Sequence, residues 1–305
     1  MIGIIGLGKV GSILAEHLVL RELDDLVLID IVKGLPQGNA LDLGHMASQL
    51  KNEVKIRGSN DFKDLKSANL VIITAGYPRT SDMSRLDLLY KNKTIIEQIS
   101  KKVKEIAPES KIIVVTNPVD VMTYLVLKIT DFDRNHLFGV GSELDAARLK
   151  YYLSSTLNLP RSSIDTYVIG EHGDSMVILE SHTKIKGIPL NKLLNRSIID
   201  EIIDNLKKAG SKVISLKGST TFGIAAAVSS VVESMVKDKK DVHLVSLYLN
   251  GEYGFRDVCI GVPVIIGKDG IERVLNFELG KNEKNQLEKS VEVVRRSIQL
   301  LTKDE

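Results

Sequence analysis

The strongest constraint on the fold lies in the first eleven residues, MIGIIGLGKVG. A short apolar run is followed at once by Gly6, Gly8 and Gly11 in the spacing G-x-G-x-x-G. Val10, Ile13, Leu14 and Leu18 then recur at helical intervals. Strand, glycine turn and helix in that order present helix N-terminal amides to a phosphate. Gly6 is expected to permit the tight turn, Gly8 to let a pyrophosphate approach the backbone, and Gly11 to let helix and sheet pack closely. A second apolar run, Leu26 to Ile29, ends at Asp30, 19 residues past Gly11. An acidic side chain there accepts from the hydroxyls of an adenosine ribose and repels a 2′-phosphate, which predicts NAD rather than NADP. The alternative is a glycine-rich turn with no ligand. The strand before it, the helix after it and the acidic residue closing the next strand favour the dinucleotide.

Further apolar runs continue the rhythm. Strands are expected at Val54 to Ile56, Leu70 to Thr74 and Lys111 to Thr116, with helices at Asp42 to Leu50 and Leu86 to Ile106. Unbroken aliphatic strands alternating with helices predict an α/β fold, a doubly wound parallel sheet of Rossmann type covered on both faces. After a short strand at Phe138 to Val140 the pattern changes to helices at Glu143 to Thr156, Asn195 to Ala209 and Gly223 to Val236. These are interleaved with strands at Thr166 to Ile169, Val242 to Leu249 and Val258 to Ile265. The last segment, Lys284 to Leu301, carries Leu287, Val291, Val294, Ile298 and Leu301 on one helical stripe. Two domains are expected: a dinucleotide-binding domain over 1–140 and an α+β substrate or catalytic domain over 141–305.

Composition excludes several classes of function. With 41 Lys and Arg against 39 Asp and Glu, the net charge of +2 calls for neither a nucleic acid nor an acidic surface. The lysine runs at Lys101-Lys102 and Lys237 to Lys240 read as solvated faces. No apolar run approaches the roughly 18 residues of a membrane span, and no signal peptide is visible. The single cysteine, Cys259, rules out an internal disulfide and fits a reducing, cytoplasmic setting. The six histidines show no metal-ligand spacing, and G-x-S-x-G is absent.

Three groups of residues carry possible chemistry. His172 lies in Gly170-Glu171-His172-Gly173-Asp174, a glycine-flanked turn after a strand. An imidazole with an ordinary pKa of about 6.5 is suited to exchanging protons there, although a lone histidine is more often structural. Asp145 and Arg148, three apart on a helix, share a face. They form either a surface ion pair or a carboxylate to orient an imidazole beside a guanidinium to grip a substrate carboxylate. Asn117, at the carboxyl end of IIVVT, is either a turn residue before Pro118 or a donor to a ligand at the edge where doubly wound sheets bind them.

The order of IGLGKVG, VIITAGYPR, MSRLDLL, VVTNPVDVMTY, GSELDAARLK, GEHGDS and KGST resembles the lactate/malate dehydrogenase family from the first strand to the last helix. The resemblance implies NAD as cofactor, His172 as general acid/base, Asp145 as its partner and Arg148 as anchor of the carboxylate beside the reacting carbon. It implies that Arg85 polarises the carbonyl from a closing loop. Asn117 then lies near the nicotinamide and the substrate oxygen, and Thr220 lines the substrate pocket. It also implies a homo-oligomer, with a tetramer preferred over a dimer.

Two cations, Arg79 and Arg85, stand six residues apart after the strand LVIIT. In the family, an arginine at the first of these positions resembles the malate type and a glutamine the lactate type. Enclosing a second carboxylate without a cation would leave a desolvated, unpaired charge. Arg79 is therefore expected to read the distal carboxylate of a small dicarboxylate, in reversible hydride transfer between (S)-malate and NAD. Arg85-Leu86-Asp87-Leu88 is more lactate-like, and proline and glycine are missing between Arg79 and Met83. Lactate or another 2-hydroxy acid is the nearer alternative, and a non-enzymatic NAD-binding regulator the more distant one.

Overall fold

The computed structural model describes residues 1–77 and 85–302. In the first half, aliphatic runs form strands and the amphipathic segments between them form helices. In chain order these are β1 (Ile2–Ile5), α1 (Lys9–Leu20), β2 (Leu26–Ile29), α2 (Leu35–Leu50), β3 (Ile56–Ser59), β4 (Leu70–Ile73), α3 (Arg85–Ile106), β5 (Lys111–Val114), α4 (Val119–Thr130) and β6 (Leu137–Gly139). Every residue of β1, β2, β4 and β6 is buried, as expected of strands covered on both faces. All pairings among these strands are parallel.

The second half contributes α5 (Ser142–Leu157), β7 (Ile164–Asp165), β8 (Val168–Ile169), β9 (Val177–Ile178), β10 (Lys184–Ile185), β11 (Ile188–Pro189), α6 (Arg196–Lys217) and α7 (Phe222–Val236). It ends with β12 (Asp241–Asn250), β13 (Arg256–Gly267), β14 (Gly270–Val274) and α8 (Lys281–Thr302). The main sheet has nine strands in the order β14-β13-β12-β6-β5-β4-β1-β2-β3. Its parallel part therefore runs outward in two directions from β1 and β4, the doubly wound order, and ligands bind at the carboxyl ends of such strands where the order reverses. The antiparallel strands β12 to β14 extend the same sheet, joined where Ser246 faces Gly139.

Several elements differ from expectation. α2 starts at Leu35 instead of Asp42, because Pro36 occupies its first turn after Gly34. β3 lies two residues later than Val54 to Ile56. Helix α4 was not foreseen: it follows Asn117-Pro118, and eight of its twelve residues are buried, so no polar stripe marks it. α6 runs on to Lys217. The small-residue helix α7 packs within the chain against α1 and α5. Among the described residues no helix is long and apolar enough to cross a membrane.

Phe138 is wholly buried in β6, between the parallel strands and the antiparallel extension. Phe138→Ala is expected to lower the unfolding free energy by about 3–5 kcal/mol. Denaturant titration followed by circular dichroism measures it. A loss under about 1 kcal/mol would mean that this strand is not a packing centre.

Candidate active site

The glycine turn joins β1 to α1. Gly6 has φ +97°, and a side chain there would strike the Ala75 backbone at 2.5 Å. A Cβ on Gly11 would lie 2.0 Å from the Gly6 carbonyl oxygen, so α1 approaches β1 as closely as the backbone allows. At Gly8, by contrast, a Cβ would meet nothing within 4 Å. That is the room a phosphate needs beside a backbone amide. Helix α1 has no side-chain cap and no acidic residue in its first turn, so its positive end is left for an anion. Thr74, unremarked in the sequence, donates to the Gly6 carbonyl at 2.6 Å and steadies the turn.

Asp30, at the end of β2, has a further task that its position did not reveal. Oδ2 accepts from the Leu7 amide at 2.7 Å and Oδ1 from the Val32 amide at 2.9 Å. The carboxylate thus ties the second strand to the glycine turn. Each oxygen keeps lone-pair capacity for a ribose hydroxyl.

The second cluster lies at the start of α5. Asp145 is fully buried. Its Oδ2 is 2.6 Å from His172 Nδ1 and its Oδ1 3.1 Å from an Arg148 guanidinium nitrogen. This is not a surface ion pair: the side chains of His172 and Arg148 are 16% and 18% exposed and that of Asp145 is 0%. A carboxylate can only accept, so Nδ1 carries the proton and Nε2 is left for a substrate. Burial pulls the His172 pKa down. The charge and hydrogen bond of Asp145, with Asp120 behind, outweigh burial and the opposing Arg148, and the net shift is upward from 6.5.

Two supporting residues escaped sequence reasoning. Gly141 precedes α5, and a Cβ on it would lie 2.6 Å from His172 Cγ and 2.9 Å from Val119 Cγ1. The imidazole occupies the space a side chain would fill. Asn92 on α3 accepts from the Tyr77 amide at 2.8 Å and donates to the Asn117 carbonyl at 2.7 Å, linking the ends of two strand-edge turns. Its signal was available: Leu89, Asn92, Ile96, Ile99 and Val103 form one buried stripe, with a polar residue where an apolar one belongs.

Asn117 is exposed at the carboxyl edge of β5, and α4 begins two residues later. Asp120 of that helix accepts from the His172 amide at 2.8 Å, which sets Asn117 close to the histidine turn. Thr220 is half-buried in the turn between α6 and α7. Arg79 and the side chain of Arg85 lie outside the described residues. The backbone of Arg85 opens α3.

This chain thus joins a glycine cradle at the switch point of the sheet to a buried carboxylate–histidine–arginine group. Residues 1–139 match the model of the lactate/malate dehydrogenase NAD binding domain, and residues 142–305 that of the lactate/malate dehydrogenase alpha/beta C-terminal domain. The chain belongs to the lactate/malate dehydrogenase family. A malate dehydrogenase of Pyrobaculum aerophilum is 41% identical over 300 residues, 98% of this chain and 97% of that protein. The solved malate dehydrogenase of Aeropyrum pernix superposes with a TM-score of 0.96 at 38% identity, covering 98% of each chain. A lactate dehydrogenase of Cryptosporidium parvum, solved with lactic acid and nicotinamide adenine dinucleotide, gives a TM-score of 0.95 at 34% identity, covering 98% of this chain and 97% of that one. The cofactor of this family member is NAD, and the open Gly8 cradle and the Asp30 carboxylate fit it.

Asp30→Asn keeps a hydrogen-bond acceptor and removes the negative charge. The preference for NADH over NADPH, measured by fluorescence titration of both, is expected to fall by on the order of tenfold. An unchanged ratio would show that Asp30 serves only the Leu7 and Val32 amides.

Proposed function

We propose that this chain is an NAD-dependent malate dehydrogenase, interconverting (S)-malate and oxaloacetate. The observation that carries the catalytic part is the buried Asp145 bridging His172 and Arg148. The substrate part is supported by relatives about 40% identical across nearly the whole chain that are malate dehydrogenases, and by Arg79 in the sequence. Residues 1–140 are proposed to carry NAD and residues 141–305 most of the substrate contacts.

When bound, NAD supplies the hydride acceptor. In malate oxidation, neutral His172 takes the hydroxyl proton at Nε2, and Asp145 holds the ring in the tautomer that leaves this nitrogen free. In the reverse direction the imidazolium returns the proton to the developing alkoxide. Arg148 holds the carboxylate beside the reacting carbon through a bidentate contact. Arg79 is assigned the distal carboxylate and Arg85 the carbonyl oxygen, where a cation stabilises developing negative charge. Asn117 is assigned to the nicotinamide side and Thr220 to the pocket wall. Closure of the 76–89 segment over the substrate would exclude water and strengthen each of these contacts. The protein is further proposed to act in the cytoplasm as a homo-oligomer, a tetramer in preference to a dimer. Exposed Leu41, Leu216 and Phe222 are candidates for surfaces between subunits.

The substrate assignment is tested by rates of NADH oxidation with oxaloacetate and with pyruvate, for wild type and Arg79→Gln. The substitution is expected to lower kcat/KM for oxaloacetate by about 10²- to 10³-fold, the scale of an uncompensated buried charge, and to spare or improve pyruvate. A wild type that reduces pyruvate as well as oxaloacetate would give the assignment to lactate, with which Arg85-Leu86-Asp87-Leu88 is consistent.

Because the pKa of His172 is raised, its protonated form persists to higher pH than in a free imidazole. Oxaloacetate reduction needs the imidazolium, so its kcat/KM should fall as pH rises through that pKa. Malate oxidation needs the neutral ring and should rise. Asp145→Asn removes the charge that opposes burial. Its inflection should move to lower pH and its kcat fall by about 10²–10⁴. Profiles in both directions measure this, and an inflection that stays in place would exclude Asp145 as the partner of the titrating group.

A further inference from the structure

Asp120 is a charged residue in the unforeseen helix α4, three positions past Asn117. Its side chain is buried, and one oxygen, Oδ2, accepts from the His172 backbone amide at 2.8 Å. The other oxygen, Oδ1, has no hydrogen-bond partner of good geometry among the described residues. Nor has the buried hydroxyl of Ser246 on β12, although it lies near enough to the carboxyl to lower its pKa. Burying a carboxyl with half its acceptors unused is costly. As a core residue, an asparagine or an apolar side chain would serve better. The neighbouring amide of the same turn is also held by a side chain: Glu171 N–H donates to Ser290 Oγ of α8 at 2.7 Å. Two successive amides of the histidine turn are thus fixed by two different helices, one of them starting beside Asn117.

We propose that Asp120 is a second positioning carboxyl for His172, locking the backbone of the histidine turn to the Asn117–Pro118 turn and favouring the imidazolium from behind. This rests on the reading of His172 as the proton-transfer group. The groups facing the pair are few. Asp120 meets His172 and Glu171 of the turn, Ser246 of β12 and the Cys259 thiol of β13. His172 meets Asp145 and Arg148 of α5 as well. Burial pushes Asp120 up to about 6, against the lowering effects of Ser246, the His172 amide and the His172 charge. Burial and Arg148 pull the His172 pKa down, but the charge and hydrogen bond of Asp145 together with the charge of Asp120 hold it above the ordinary imidazole value. While it is ionised the Asp120 carboxyl favours the imidazolium through its charge, and below about 6 that charge is lost.

The test uses the full chain as wild type, Asp120→Asn and Asp120→Ala. Asparagine keeps an acceptor for the His172 amide and removes the charge, whereas alanine removes both. The pKa of His172 is read from the pH dependence of its modification by diethyl pyrocarbonate, quantified by peptide mass spectrometry. Alongside it, kcat and KM for oxaloacetate and Kd for NADH are measured against pH. Asp120→Asn is expected to lower the His172 pKa by about 0.5–1 unit. Asp120→Ala is expected to lower kcat about tenfold or more, with NADH affinity kept and with asparagine restoring most of kcat at pH values where His172 is protonated. A His172 pKa unchanged in Asp120→Asn overturns the proposal. So does an Asp120→Ala protein that loses thermal stability but keeps kcat within about twofold. Should the alanine variant not fold, the modification pKa of the asparagine variant decides. A wild type inactive on oxaloacetate would sink the substrate assignment but leave that modification readout intact, so the two failures are distinct.

Discussion

Asp145 has no exposed side-chain surface, and its two oxygens meet an imidazole and a guanidinium. A buried carboxylate loses several kcal/mol of hydration, and only close partners of opposite charge offset that. Withdrawing one partner leaves an uncompensated charge, at a cost of about 3–5 kcal/mol. The local structure follows from keeping both partners in place. Helix α5 puts Arg148 one turn beyond Asp145 on the same face. Gly141 leaves the volume that His172 fills. The histidine turn is closed by side chains of α4 and α8. An arrangement that costly in isolation has a rationale in chemistry rather than in stability, since a well-packed apolar cluster would hold the chain together at least as well.

The continuity of the main sheet gives this cluster its relation to the nucleotide cradle. β6 pairs in parallel with β5 on one side and antiparallel with β12 on the other. The strand edge bearing Asn117 and the strands packed under His172 are therefore parts of one hydrogen-bonded surface. Asn92 adds a tie across the carboxyl edge, fixing Tyr77 where the arginine-bearing segment departs and Asn117 where α4 begins. Such a scaffold holds the groups at the carboxyl edge of the sheet in fixed relation to one another.

How much of this could be read from residues depended on whether the cue was local. Fully buried parallel strands such as LVII and IIVV announce themselves by an unbroken aliphatic run, and the glycine turn by its spacing and flanks. Helix α4 did not: Asn-Pro reads as a turn, and VDVMTYLVLKIT is buried around most of its circumference, leaving no alternation of apolar and polar faces. The start of α2 was hidden by Gly34 and Pro36, which punctuate a chain but here begin a helix. That β12 to β14 extend the nucleotide sheet was invisible, since pairing of Ser246 with Gly139 joins residues far apart in sequence. At the site, residue types were legible and their burial was not. Asp145 and Arg148 look alike on paper whether they form a surface pair or a buried one. Asp120 and Asn92, which hold the machinery in place, look like ordinary members of apolar helices.

The charges around His172 also link proton affinity to substrate binding. Arg148 sits across Asp145 from the imidazole, and its positive charge is one of the influences holding the His172 pKa down. On the role proposed for Arg148, a substrate carboxylate paired with it neutralises that influence. The imidazole then binds its proton more tightly in the occupied site than in the empty one. Linkage makes the relation reciprocal: the protonated enzyme must bind the carboxylate more tightly than the neutral one by the same factor. A 2-keto acid arriving for reduction thus favours the protonation state its reduction requires. Asp145 makes this coupling moderate, because a carboxylate between two cations screens each from the other while holding both in place.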